Sequence, residues 1–172
     1  DWQLKVNAEV RNLSQKAVKD YQVRYNVYEV SLYKDDVTSS ATKGSIPLKI
    51  VAPNAIDKVS GTIAVKNPKL WSAEEPHRYV LVAQLLDKKG KVVETVSSYF
   101  GFRKVEIKDT KAEDDAFGKA GRYYYLNGKT IKFKGVNRHE SHPAQGHVLT
   151  HQQMEEEVMM MKRANINHVR NS

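Results

Sequence analysis

Cysteine is absent from all 172 residues. That removes disulfide frameworks, thiolate metal sites and cysteine nucleophiles, and it leaves the redox compartment open. No apolar run approaches the roughly 20 residues a membrane helix needs, and the opening Asp1-Trp2-Gln3-Leu4 lacks the basic and apolar regions of a secretory leader. The chain is therefore expected to be soluble, with cytoplasmic and periplasmic locations both open. A Gly-x-Ser-x-Gly elbow and a glycine-rich phosphate loop are also missing, so the common hydrolase and nucleotide-binding signatures do not apply. Charge of one sign is never gathered in a block. The formal charge is +8, yet Lys and Arg are scattered among Asp and Glu from end to end, which argues against a nucleic-acid partner.

What is present is a hydrophobic content of 40%, enough for one full domain and part of another. The first residue is not Met, and Asn171-Ser172 directly follows an apolar segment, so the chain is expected to be an internal piece of a longer protein. Up to about Ile107, apolar side chains recur at every second position, as half-buried strands require. Leu4, Val6, Ala8 and Val10 form one stripe, and Val23, Tyr25 and Val27 another. Ile46, Leu48 and Ile50 follow, then Val59, Gly61, Ile63 and Val65. Tyr79 to Leu86 and Lys91 to Val96 flank Asp87-Lys88-Lys89-Gly90, a polar loop suited to a hairpin. Short strands with regular turns predict an antiparallel β-sandwich of immunoglobulin type over residues 1–108.

Residues 109–122 are polar and read as a linker, with a second unit over 123–172. Asn127-Gly128 between Tyr123-Leu126 and Ile131-Phe133 signals a β-hairpin. A βαβ unit follows, with strands near Ile131–Val136 and Ile166–Val169 and a helix between them. Thr150 and Gln153 form a capping box, Glu155 to Glu157 lie in the early turns, and Lys162 and Arg163 lie near the end. Met154, Val158 and Met161 share one helical face and read as core.

The polar run Asn137-Arg138-His139-Glu140-Ser141-His142-Pro143 leaves the first parallel strand, and Arg170-Asn171-Ser172 leaves the next. In βαβ architectures both would meet on the carboxyl rim, where active sites lie. His139, His142, His147 and His151 with Glu140 could ligate zinc, although His-Glu-Ser-His lacks the His-Glu-x-x-His spacing. Arg138 could equally be a solvated loop charge, and Arg170 a structural ion-pair partner; pattern alone leaves both readings open.

Leu126-Asn127-Gly128-Lys129, then Gly135-Val136-Asn137-Arg138-His139-Glu140 and His142-Pro143, resembles the opening of the family 2 glycoside hydrolase barrel. Asn167-His168-Val169-Arg170-Asn171-Ser172 is similar to the first half of a signature of that family. Upstream, Pro68-Lys69-Leu70-Trp71-Ser72, Glu75-Pro76, Tyr79 and Gly101-Phe102-Arg103 resemble the end of its immunoglobulin-like domain, so the resemblance runs from about Pro68 onward. Arg138 and the His-Glu-x-His-Pro run favour the β-galactosidase branch.

The resemblance implies the first piece of a (β/α)₈ barrel behind the sandwich. It also implies a retaining mechanism with two glutamates about 5 Å apart, one nucleophile and one acid/base, acting on β-galactosides. Both glutamates belong to later strands, so the chain alone is expected to be inactive, and Glu140 is given neither role. His139 corresponds to a histidine contacting the galactosyl ring. Arg170 corresponds to an arginine that keeps the nucleophilic glutamate ionised and oriented. No cofactor is expected within this chain, whereas the whole enzyme is expected to need Mg²⁺ and a monovalent cation. An incomplete barrel is expected to pack residues 134–172 against the sandwich, pair with another copy or lie disordered. The competing class is a non-catalytic sandwich binding carbohydrate or protein, with Trp71, Tyr79 and Tyr99 as candidate platform residues; β-glucuronidase and β-mannosidase are the other family specificities.

Overall fold

Where apolar and polar residues alternate in the first part of the chain, the computed structural model forms strands; it describes residues 2–34, 36–115 and 118–171. Residues 1–103 form one unit and 104–172 a second. In the first unit, β1 (Trp2–Arg11) pairs antiparallel with β4 (Ile56–Val65), Trp2 facing Val65 and Arg11 facing Ile56. The remaining strands are β2 (Gln22–Val30), β3 (Val37–Pro47), β5 (Arg78–Leu86) and β6 (Val92–Phe100), which form a four-stranded antiparallel sheet in the order β3-β2-β5-β6. These sheets make an immunoglobulin-like sandwich.

The inward stripes are those expected. Leu4, Val6, Ala8 and Val10 are buried or half-buried while the residues between them are exposed. Val23, Tyr25 and Val27 are all buried. Val27, Val65, Tyr79 and Phe102 form one core cluster, and Val23, Leu48 and Val51 a second. The Tyr79 ring meets Phe102 edge-on at 5.0 Å and stacks on Phe100 at 5.8 Å, and its hydroxyl accepts a hydrogen bond from the Lys69 backbone N–H at 2.9 Å. Burial pushes the Tyr79 hydroxyl pKa up. Gly61 leaves room for Ile46 across the sandwich: a Cβ there would meet Ile46 Cδ1 at 2.9 Å, so that side chain would have to shift.

The expected stripe Ile46-Leu48-Ile50 is cut short. Strand β3 ends at Pro47; Leu48 still donates its N–H to the Tyr21 carbonyl at 2.9 Å and is buried, while Ile50 beyond it is exposed. The expected hairpin joins β5 to β6. Asp87 Oδ1 accepts from the N–H groups of Lys89 (2.8 Å) and Lys91 (2.9 Å), and Gly90 takes φ 79°. Those donors, Lys91 first, hold the Asp87 carboxyl below its ordinary pKa.

In the second unit, β7 (Val105–Thr110) pairs antiparallel with β8 (Gly121–Leu126), which pairs with β9 (Lys129–Ile131). Asn127 and Gly128 both take positive φ, 53° and 81°, as a two-residue hairpin turn of this kind needs. The division therefore falls after Arg103, earlier than the boundary placed at residue 108. Residues 105–108 pair with β8, Val105 facing Leu126, and Asp109-Thr110 and Gly121-Arg122 extend the same ladder into the expected linker. Periodicity identifies a strand but not the edge to which it bonds. Of that linker, Ala116 and Phe117 lie outside the described residues.

The βαβ unit comprises β10 (Gly135–Arg138), α1 (His151–Arg163) and β11 (His168–Asn171), with β10 and β11 parallel. The capping box is present: Thr150 Oγ1 accepts from Gln153 N–H, and Gln153 Oε1 accepts from Thr150 N–H at 2.8 Å. The helical face expected to be core is only partly so. Met154, Glu157 and Met161 are half-buried, whereas Val158 is 57% exposed, because a two-stranded sheet covers a narrower arc than an apolar helix face offers.

Candidate functional site at the carboxyl ends of β10 and β11

The parallel register sets Asn137 opposite Arg170 and Arg138 opposite Asn171, with His139 immediately beyond β10. The two polar runs thus share one strand-end rim; Ser172 lies outside the described residues. Successive side chains alternate between faces. Val136 and Arg138 are half-buried, while Gly135, Asn137 and His139 are exposed. Arg138 reaches α1: its Nε donates to Glu157 Oε2 at 2.7 Å, and its Nη2 pairs with the same oxygen. The face of Val136 and Arg138 is therefore the helix-covered one. Asn137 and its register partner Arg170 belong to the opposite, open face, and His139 lies exposed just past the strand end.

Arg138 is not a solvated loop charge. Its side chain is only 14% exposed, and Nη1 also faces Glu140 Oε1 at 3.6 Å. The pairing with Glu157 was missed in the sequence, although its signal was there: Arg138 shares the parity of Val136, so it faces whatever helix follows. Glu140 and Glu157 are both engaged by one guanidinium and do not form a free pair of carboxylates across a substrate gap.

Three of the four histidines considered as zinc ligands are used locally. His142 Nδ1 accepts from Ala144 N–H at 3.2 Å, His147 Nδ1 bonds the Glu140 carbonyl oxygen at 2.9 Å, and His151 lies 3.5 Å from Glu155. Among the described residues, no three His, Asp or Glu side chains converge as a metal would require. The aromatic platform does not assemble either. Tyr79 is 1% exposed, and the other two rings each carry a guanidinium, Arg103 at 4.9 Å from the Trp71 centroid and Arg78 at 5.5 Å from that of Tyr99.

An immunoglobulin-like sandwich followed by a hairpin and a parallel βαβ unit, with a polar rim at the strand ends, defines a modular protein that opens a (β/α) barrel. The sequence matches the model of glycosyl hydrolases family 2 over residues 1–103 and that family's TIM barrel domain over residues 120–172; the chain belongs to glycosyl hydrolases family 2. It is 41% identical over 114 residues to a β-galactosidase of Photobacterium profundum, covering 66% of this chain and 10% of that protein. A β-galactosidase of Halalkalibacterium halodurans is 40% identical over 116 residues, 67% of this chain and 10% of the relative. The chain thus spans about a tenth of the length of these curated relatives. A β-glucuronidase crystal structure from Bacteroides uniformis superposes with a TM-score of 0.75 at 21% identity, covering 99% of this chain and 18% of that one, a likeness of fold. Among the described residues, no helix is long and apolar enough to cross a membrane.

Proposed function

We propose that this chain is the sandwich and barrel opening of a retaining β-galactosidase that releases terminal β-D-galactosyl residues. The observation that carries the reading is the parallel β10–β11 rim, which sets Arg170 opposite Asn137 and places His139 exposed just beyond it, in a sequence about 40% identical to β-galactosidases. On this reading His139 hydrogen-bonds a hydroxyl of the galactosyl ring, most strongly as oxocarbenium character develops. Arg170 orients the glutamate nucleophile and holds it ionised. The two glutamates themselves are supplied by other barrel strands, since Glu140 and Glu157 are tied to Arg138. The 172-residue chain by itself is inactive.

The test is hydrolysis of a chromogenic β-galactoside, with β-glucuronide and β-mannoside controls, by this chain and by the protein extended through a complete barrel. Turnover of the galactoside by the extended protein alone is expected. Turnover by the short chain, freed of contaminating enzyme, would overturn the placement of the glutamates, and preference for a control substrate would overturn the sugar assignment. In the extended enzyme, His139→Ala and Arg170→Ala are each expected to lower kcat at least tenfold without unfolding the protein.

A further inference from the structure

His139 is bracketed on both sides by one charge network. Arg138, the residue before it, pairs with Glu157 on α1, and Glu140, the residue after it, lies 3.6 Å from the same guanidinium. The Glu140 carbonyl is tied a second time by His147 Nδ1 at 2.9 Å. Arg138 turns toward the helix, whereas His139, just past the strand end, is exposed, so the network bears on His139 through the backbone on either side. A guanidinium fork is suited to this. It is planar and multidentate, and here it links strand end, following loop and helix at one point, which a flexible ammonium would do less rigidly.

We propose that Arg138, anchored by Glu157, is a positioning residue that fixes the direction in which His139 meets the sugar; the inference rests on the substrate-contact role given to His139 above. A loosened strand end would let the imidazole drift by a fraction of an ångström to an ångström. Displacements of that size cost up to about a hundredfold in rate while leaving the protein folded.

A double-mutant cycle in the enzyme extended through its barrel tests it. Arg138→Met is expected to lower kcat for a β-galactoside about tenfold to a hundredfold, with a smaller change in KM and an unchanged circular dichroism spectrum. Arg138→Lys should recover part of that loss. In the His139→Ala background the same Arg138→Met change should cost less than about twofold, because there is no longer an imidazole to misplace. Equal factors in both backgrounds would overturn the inference, since a purely structural pair would act independently of His139. If His139→Ala alone leaves the kinetics unchanged, the site assignment falls first and the inference with it, a result distinct from additivity. Should Arg138→Met fail to fold, Glu157→Gln closes the same cycle from the helix side.

Discussion

Every buried apolar side chain among the described residues lies between Val6 and Phe102, whereas residues 104–171 contribute none. Both regions carry well-formed elements, yet they relate differently to their own apolar surface. The sandwich folds its stripes face to face and closes them around Val27 and Tyr79. In the second unit Val105, Ile107, Val158, Met159 and Met160 all stay more than half exposed, on strands and a helix whose backbone bonding is otherwise regular. Local order comes from caps, turns and ladders. Burial comes from neighbours, and a single βαβ unit has too few of them to enclose a helix.

The sharpest way to break this contrast is to remove the centre of the sandwich. Tyr79→Ala deletes a fully buried ring, its contacts to Phe100 and Phe102, and the acceptor for Lys69 N–H. The expected loss is about 3–5 kcal/mol in urea unfolding followed by fluorescence of Trp2 and Trp71. A loss below about 1 kcal/mol would place the stabilising core elsewhere. Next in size is Asn12→Ala. The amide of this buried residue donates to the carbonyls of Lys16, Val51 and Ala52, and its oxygen accepts from Ser14. Each carbonyl keeps one other donor, the Ser14 hydroxyl or the N–H of Val18 or Ala55, so the loss of several bonds at once should cost about 1–3 kcal/mol in the same assay.

The second unit gives the converse. Val158→Ala in the 172-residue chain should change stability by no more than about 0.5 kcal/mol, because the side chain is largely in water already. In the protein extended through a complete barrel the same substitution should cost more than about 1 kcal/mol, as neighbouring elements cover that flank. Equal costs in the two proteins would mean that this helix face is meant for solvent.

The same contrast explains which features were legible in the sequence. Asn127-Gly128, Thr150 with Gln153, and the loop after Asp87 act within a few residues, and each appears as read because its partners are sequence neighbours. The alternating stripes of β1, β2 and β4 were equally plain, since the opposing sheet is present to bury them. Three features were not legible for one shared reason. The pairing of β7 with β8, the exposure of Val158 and the tie between Arg138 and Glu157 each depend on which distant element occupies a face, and periodicity along the chain does not encode that. Of the candidate site, the shared rim of Asn137, His139 and Arg170 could be inferred from the βαβ order alone. The anchoring of that rim from the helix side could not.

The smallest expected effect compares one carboxylate from each unit. Asp87 is held by backbone N–H groups, and Glu106 chiefly by the ammonium of Lys104 at 3.0 Å with Lys108 at 3.2 Å; both carboxyls lie below their ordinary pKa values of 3.8 and 4.5. A lowered folded-state pKa stabilises the fold above the unfolded value, and that contribution disappears as pH falls through the folded value. Stability should therefore decline on acidification below about pH 4, and less steeply in Asp87→Asn and Glu106→Gln than in the unchanged chain. Salt separates the two. At about 1 M the screening length shrinks to about 3 Å, so the Glu106 pKa, read by NMR titration, should move back toward its ordinary value while Asp87, bound to amides, moves less. Equal movement would mean that the Asp87 turn is held by the charges of Lys89 and Lys91 rather than by their backbone, and Asp87 would then be held by the same exposed ion pairing as Glu106.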